Sequence, residues 1–129
     1  MYASVNSQQA RTQYQTLELA SRIDGATPHA LVAILYSELL QSLDVAMAAL
    51  RHGRTDRARQ HCDRCQTILI GLGASLDHDL GGDIARSLAG IYRSMGTELR
   101  KIVANHDMAK LQNLREGVAS LADTWAKLV

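Results

Sequence analysis

The run His61-Cys62-Asp63-Arg64-Cys65 holds the residue types best suited to chemistry. A Cys-x-x-Cys pair can bind zinc through its thiolates or cycle between dithiol and disulfide, and His61 would offer a third ligand. The surrounding pattern argues against both uses. A structural zinc site takes four ligands, and a thioredoxin-like dithiol follows a strand, for which there is no signal here. Instead Ala58, Cys62, Cys65, Leu69, Leu72 and Leu76 recur at alternating intervals of four and three, which puts both cysteines on the apolar seam of a helix. A free cysteine on such a seam behaves as a small buried hydrophobe.

The remaining constellations are weaker. A di-iron centre in a helical bundle needs Glu-x-x-His pairs, but Glu18, Glu38, Glu98 and Glu116 are followed three residues on by Ser21, Gln41, Lys101 and Ala119. Asp77 and Asp79 flank His78 in a polar stretch that reads as a solvated turn. Gly71-Leu72-Gly73 is too short for a phosphate loop and falls inside a helical pattern. Close packing on a neighbouring helix and a groove that admits a partner backbone would each account for those glycines. Arg51, Arg54, Arg57, Arg59 and Arg64 form a basic cluster, yet Asp56 and Asp63 interrupt it and no aromatic platform accompanies it. It reads as a solvated face rather than a nucleic-acid surface. We therefore expect no catalytic set, no metal site and no cofactor; the chain is not read as an enzyme.

The elements that carry these residues are helical. Ala26 to Leu40 contains the only proline, Pro28, and the densest apolar run, Ala30 to Tyr36. Thr27 before Pro28 is a helix start: the hydroxyl can accept an orphan amide, and proline suits the first turn. The helix from Pro28 to about Arg51 has Leu31, Leu35, Leu39, Ala46 and Leu50 on one side and Val32, Tyr36, Leu40, Leu43 and Met47 beside it. So wide a stripe requires cover from several directions. Gly53 caps it, and the cysteine seam follows from Thr55 or Asp56. Asp77 to Gly82 is a turn; a third helix from about Asp83 shows the seam Ile84, Leu88, Ile91, Met95, Leu99 and Ile102. Asp107 starts the last, with Leu111, Leu114, Val118, Leu121, Trp125 and Leu128.

Four helices with short connections predict an all-α, antiparallel up-down-up-down four-helix bundle over residues 27–129. Residues 1–26 are polar, rich in Gln, Ser and Thr, and are expected to form a mobile or loosely docked N-terminal arm closed by Gly25. The net charge of +1 gives no field that would draw nucleic acid or an anionic membrane. No apolar stretch approaches the ~20 residues of a spanning segment and no secretory signal is visible, so membrane insertion is not expected and the cytoplasm is the expected compartment. Apolar residues beyond the seams are the suggestive feature. Ile70 stands among Gln66, Gly73 and Asp77, and Tyr92 and Val103 flank the third seam. A contiguous strip of that kind would mark a partner surface; cover by loops or by the N-terminal arm is the alternative.

The order Tyr14-Gln15, Ala26-Thr27-Pro28-His29-Ala30-Leu31 and Ile34-Leu35-Tyr36 resembles the start of the flagellar secretion chaperone FliS family. The similarity continues through Leu76-Asp77, Gly81-Gly82-Asp83-Ile84-Ala85, Leu88, Ile91-Tyr92, Met95, Leu99 and Trp125, covering almost the whole chain. One departure is local: Ser37 and Glu38 stand where the family has Asp or Asn and then Gly. The resemblance implies a cytoplasmic export chaperone that binds the disordered C-terminal segment of flagellin, prevents premature polymerisation and assists delivery to a component of the flagellar export gate. It also implies that the arm, with Tyr14, covers a groove when no client is present. The client-facing residues expected on these grounds are Tyr14, Pro28, Leu31, Leu35, Tyr36, Ile68, Ile70, Gly71, Tyr92 and Val103. A helical adaptor for a different protein client is the alternative.

Overall fold

The computed structural model describes residues 24–128, all of whose long elements are helices. Helix α1 spans Pro28–Arg51, α2 Thr55–Ala74, α3 His78–Ala104 and α4 Met108–Ala126. The expected arm falls outside the described residues as far as position 23, and Tyr14 with it. The starts of α1 and α4 are set by local devices. Thr27 Oγ1 accepts from the Ala30 amide at 3.1 Å and Pro28 occupies the first turn, while Asp107 Oδ1 accepts from the Lys110 amide at 3.1 Å. Gly53 closes α1 at φ +68°, where a side chain would be strained.

The four helices run alternately up and down, with α1 packed against α2 and α4, and α3 closing the ring between them. Side-chain contacts give the register. Leu35 lies opposite Gly71, Glu38 opposite Arg64, Gln66 opposite Gly96 and Asp44 opposite Arg115, each an antiparallel pairing. Packing is densest between α1 and α2 and thinnest between α3 and α4. Leu39, Leu43, Cys65, Leu72, Leu99, Leu111 and Val118 are fully buried along the axis. Burying one such leucine contributes roughly 1.5–3 kcal/mol, so this column supplies much of what holds the helices together.

Helix α1 has the buried set its width demanded: Val32, Leu35, Tyr36, Leu39, Leu43, Ala46, Met47, Ala49 and Leu50. By length and composition it could cross a membrane, but half of the qualifying window is buried inside the bundle. Only a narrow outer stripe through Ala33, Ser37, Gln41, Asp44 and Ala48 is exposed. Two polar devices tie α1 to its partners. Tyr36 Oη and Tyr92 Oη share a buried hydrogen bond of 2.7 Å across the bundle, from α1 to α3. Burial, reinforced by that partner, pushes the Tyr36 phenol well above its ordinary pKa. At the foot of the bundle the His29 and Trp125 rings stack, centroids 4.9 Å apart. Trp125 Nε1 donates to the His29 carbonyl at 2.9 Å, and His29 Nε2 lies 3.0 Å from the Trp125 carbonyl. Trp125 is half-buried against the core, so it fastens the end of α4 to the start of α1.

The third helix departs from expectation in two ways. Asp77 accepts from the Asp79 and Leu80 amides and opens a single helical turn ahead of Asp83; Gly82, at φ 51° and ψ −122°, breaks it from the long helix. The buried face is then Ala85, Tyr92, Gly96, Leu99, Ile102 and Val103, with Leu88 and Met95 packed beside it. Ile84 and Ile91 of the expected seam are exposed, and Tyr92 and Val103, expected beside the seam, are in it. The reason is steric and polar at once. Gly96 lets α2 approach so closely that Gln66 Nε2 donates to its carbonyl at 2.8 Å, and that approach together with the tyrosine pair fixes the rotation of α3.

Removing one hydroxyl of the tyrosine pair leaves the other buried without its partner. Tyr36→Phe alone should cost about 1–3 kcal/mol, and Tyr36→Phe with Tyr92→Phe less than the sum of the two single changes. Urea unfolding of the four proteins measures this; strictly additive losses would contradict the pairing.

Candidate functional site

The cysteine motif is part of the packing. Cys62 and Cys65 are buried on the α2 seam as free thiols. Burial raises the pKa of both, that of Cys65 to about 12, so neither is a thiolate near neutral pH. His61 is half-buried, and its Nδ1 has no hydrogen-bond partner. Burial first, then the charges of Arg57 and Arg64, hold its pKa below the ordinary 6.5. Among the described residues no three His, Cys, Asp or Glu side chains converge in the manner of a metal site.

Apolar side chains left in water form the more informative group. Ile70 is 72% exposed, Leu80 89%, Ile84 73%, Ile91 40% and Leu128 64%. Ile70 sits one turn from the end of α2, Leu80 in the isolated turn before Gly82, Ile84 at the start of the long part of α3, and Leu128 just beyond α4. The up-down topology brings all four to one end of the bundle, the end where the His29–Trp125 stack joins α1 to α4. Single exposed hydrophobes are ordinary; four large ones at one end of the bundle make that end the candidate site.

The expected site residues divide. Pro28 is exposed and Leu31 and Gly71 half-buried at this same end, with Ile70 beside them. Leu35, Tyr36, Ile68, Tyr92 and Val103 are instead core side chains, at 3–7% exposure. Tyr14 lies outside the described residues. Helix packing does not require the glycines: a Cβ at Gly71 would rest 3.8 Å from Leu35, an ordinary contact, and one at Gly73 would meet nothing within 4 Å. Close packing on a neighbouring helix therefore does not account for these glycines. Leu80, Ile84 and Leu128 were missed as surface residues. For Ile84 the competing spacing Ala85, Leu88, Tyr92, Leu99 and Val103 is the available signal. Glu38 is also placed unexpectedly: it is 8% exposed and accepts from Arg64 Nη2 at 3.0 Å, so a carboxylate occupies the α1–α2 interface.

A family model described as flagellar protein FliS matches residues 10–129. The chain is 24% identical over 115 residues to the flagellar secretion chaperone FliS of Vibrio cholerae, covering 89% of this chain and 85% of that one. It is 25% identical over 116 residues to the flagellar secretion chaperone FliSB of Pseudomonas aeruginosa, covering 90% and 92%. To the flagellar secretion chaperone FliS of Salmonella typhimurium it is 24% identical over 116 residues, covering 89% and 86%.

Two measurements check the burial of the cysteine helix. Both thiols should resist iodoacetamide at neutral pH in the native protein and react together once urea unfolds it; rapid labelling of the folded protein would refute the packing role. Because the folded pKa of His61 is depressed, the unfolded chain binds its proton first. Stability should thus fall as pH drops through 6.5 toward the lower folded value, and His61→Gln should flatten that part of the profile. An unchanged pH slope in the variant would show that His61 is not responsible.

Proposed function

Because the chain belongs to the FliS family, we propose that it is a cytoplasmic export chaperone whose client is the C-terminal segment of a flagellin. Bound client would be kept from polymerising before export and be passed to a component of the flagellar export gate. The observation that carries this reading is the collection of Ile70, Leu80, Ile84 and Leu128 in water at one end of an otherwise well-packed bundle. An unfolded client segment that forms a short amphipathic helix can lay its apolar face there, and the burial offsets the cost of ordering it. The thin α3–α4 seam and the open surface at Gly73 give the segment room to lie along the helices.

The chain enters α1 through Asp24–Thr27 at this same end. Asp24 is therefore at the patch end, and we propose that the segment preceding it competes with the client. Its residues are mostly polar, so the competition is weak and reversible, as a chaperone that must release and rebind requires.

Replacing Ile70 and Ile84 together by Glu should leave stability within about ±1 kcal/mol, since both side chains are largely in water. The same change sets two carboxylates against an apolar client face and should weaken binding at least about tenfold. Calorimetric titration with the flagellin C-terminal segment decides it. Unchanged affinity would place the client elsewhere, and no binding by the parent protein would refute the client assignment.

A further inference from the structure

The opposite end of the bundle carries a second surface. Between the C-terminal half of α1 and the start of α2 lies an open depression lined by Val45 and Ala48 and edged by Asp44, His52, Arg54 and Arg57. The one carboxylate among these is already engaged: Asp44 accepts from Arg115 Nε at 2.9 Å and from Nη2 at 3.3 Å. Arg54 and Arg57 have no ion-pair partner among the described residues, whereas Arg64 is held by Glu38, Arg86 by Asp83 and Lys110 by Asp107. Helix α2 begins at Arg54 without a side-chain cap, so its first amides add partial positive charge at the same place. His61, one turn further on, is held below its ordinary pKa by burial first and then by the charges of Arg57 and Arg64.

We propose that this depression docks an acidic amphipathic segment of a second protein. An aliphatic side chain of that segment rests on Val45 and Ala48, and its carboxylates pair with the Arg54 and Arg57 guanidiniums. Guanidinium–carboxylate pairing is bidentate and directional, which supplies register; the apolar floor supplies area that simple charge attraction lacks. Nucleic acid fits less well, because no Phe, Tyr or Trp lines the depression and Asp44 and Asp56 stand beside the arginines. Thirteen residues of helix, roughly 20 Å, separate Arg57 from Ile70, so the two ends can be occupied at once. One protein can thereby hold a client at its apolar end and be held at its basic end.

The test uses a random dodecapeptide display library panned against the full chain. Enriched peptides should be net acidic with aliphatic residues three or four apart, and should perturb the amide resonances of residues 45–57. Arg54→Glu with Arg57→Glu should weaken them at least about tenfold while leaving the thermal midpoint and flagellin-segment binding unchanged. Ala48→Glu, which obstructs the floor without touching either arginine, should weaken them as well. The proposal is overturned if the enriched peptides are not acidic, if they bind the double variant as well as the parent, if their resonance changes lie elsewhere, or if a single-stranded oligonucleotide binds the parent more tightly than they do.

Discussion

Helix α1 is apolar on all but one narrow stripe, and covering it organises the rest of the molecule. Two neighbours alone leave its inner face open, so α2 and α4 flank it and α3 reaches it across the bundle. The Tyr36–Tyr92 hydrogen bond is the point of that reach. Placing a phenol pair there removes two polar groups from water but satisfies each with the other, which makes the rotation of α3 a discrete choice rather than a slide. Once α3 is turned so that Tyr92, Gly96, Leu99 and Val103 face inward, Ile84 and Ile91 must face outward. That rotation adds Ile84 to the exposed apolar end.

Much of this was legible in the residues. Thr27-Pro28, Gly53 and Asp107 mark helix boundaries by mechanism, and the α2 seam through both cysteines is buried as its spacing implies. The rotation of α3 was not legible, because two overlapping apolar spacings run along that helix and strict hydrophobicity prefers the isoleucines. What selects the other spacing is a small residue and two polar partners: Gly96 under Gln66, and Tyr92 with Tyr36. Such choices depend on the neighbouring helix, which a single periodicity does not contain. The same limit applies to Glu38. On α1 alone it interrupts an apolar side, and only Arg64 on α2 makes its place in the interface reasonable.

The two ends of the bundle differ in chemistry. Around the exposed hydrophobes stand Asp77, Asp79, Asp83 and Asp123, while Arg51, Arg54, Arg57, Arg59 and Lys101 gather at the far end. A near-neutral chain can in this way present two unlike surfaces without a strong overall field. An apolar end suits a client that must be released again, because its affinity rests on burial that a competing segment can replace. A charged end suits a partner whose orientation matters. The buried thiols and the half-buried histidine lie between them as packing elements.

The central claim is that the client occupies the end formed by the α2–α3 turn and the close of α4. Hydrogen–deuterium exchange on the full chain, with and without the C-terminal segment of the flagellin, tests it most directly. The account predicts added protection over residues 70–92 and 124–128 and none over 50–60. Protection confined to residues 50–60, or absent from both ends at saturating segment, would contradict it.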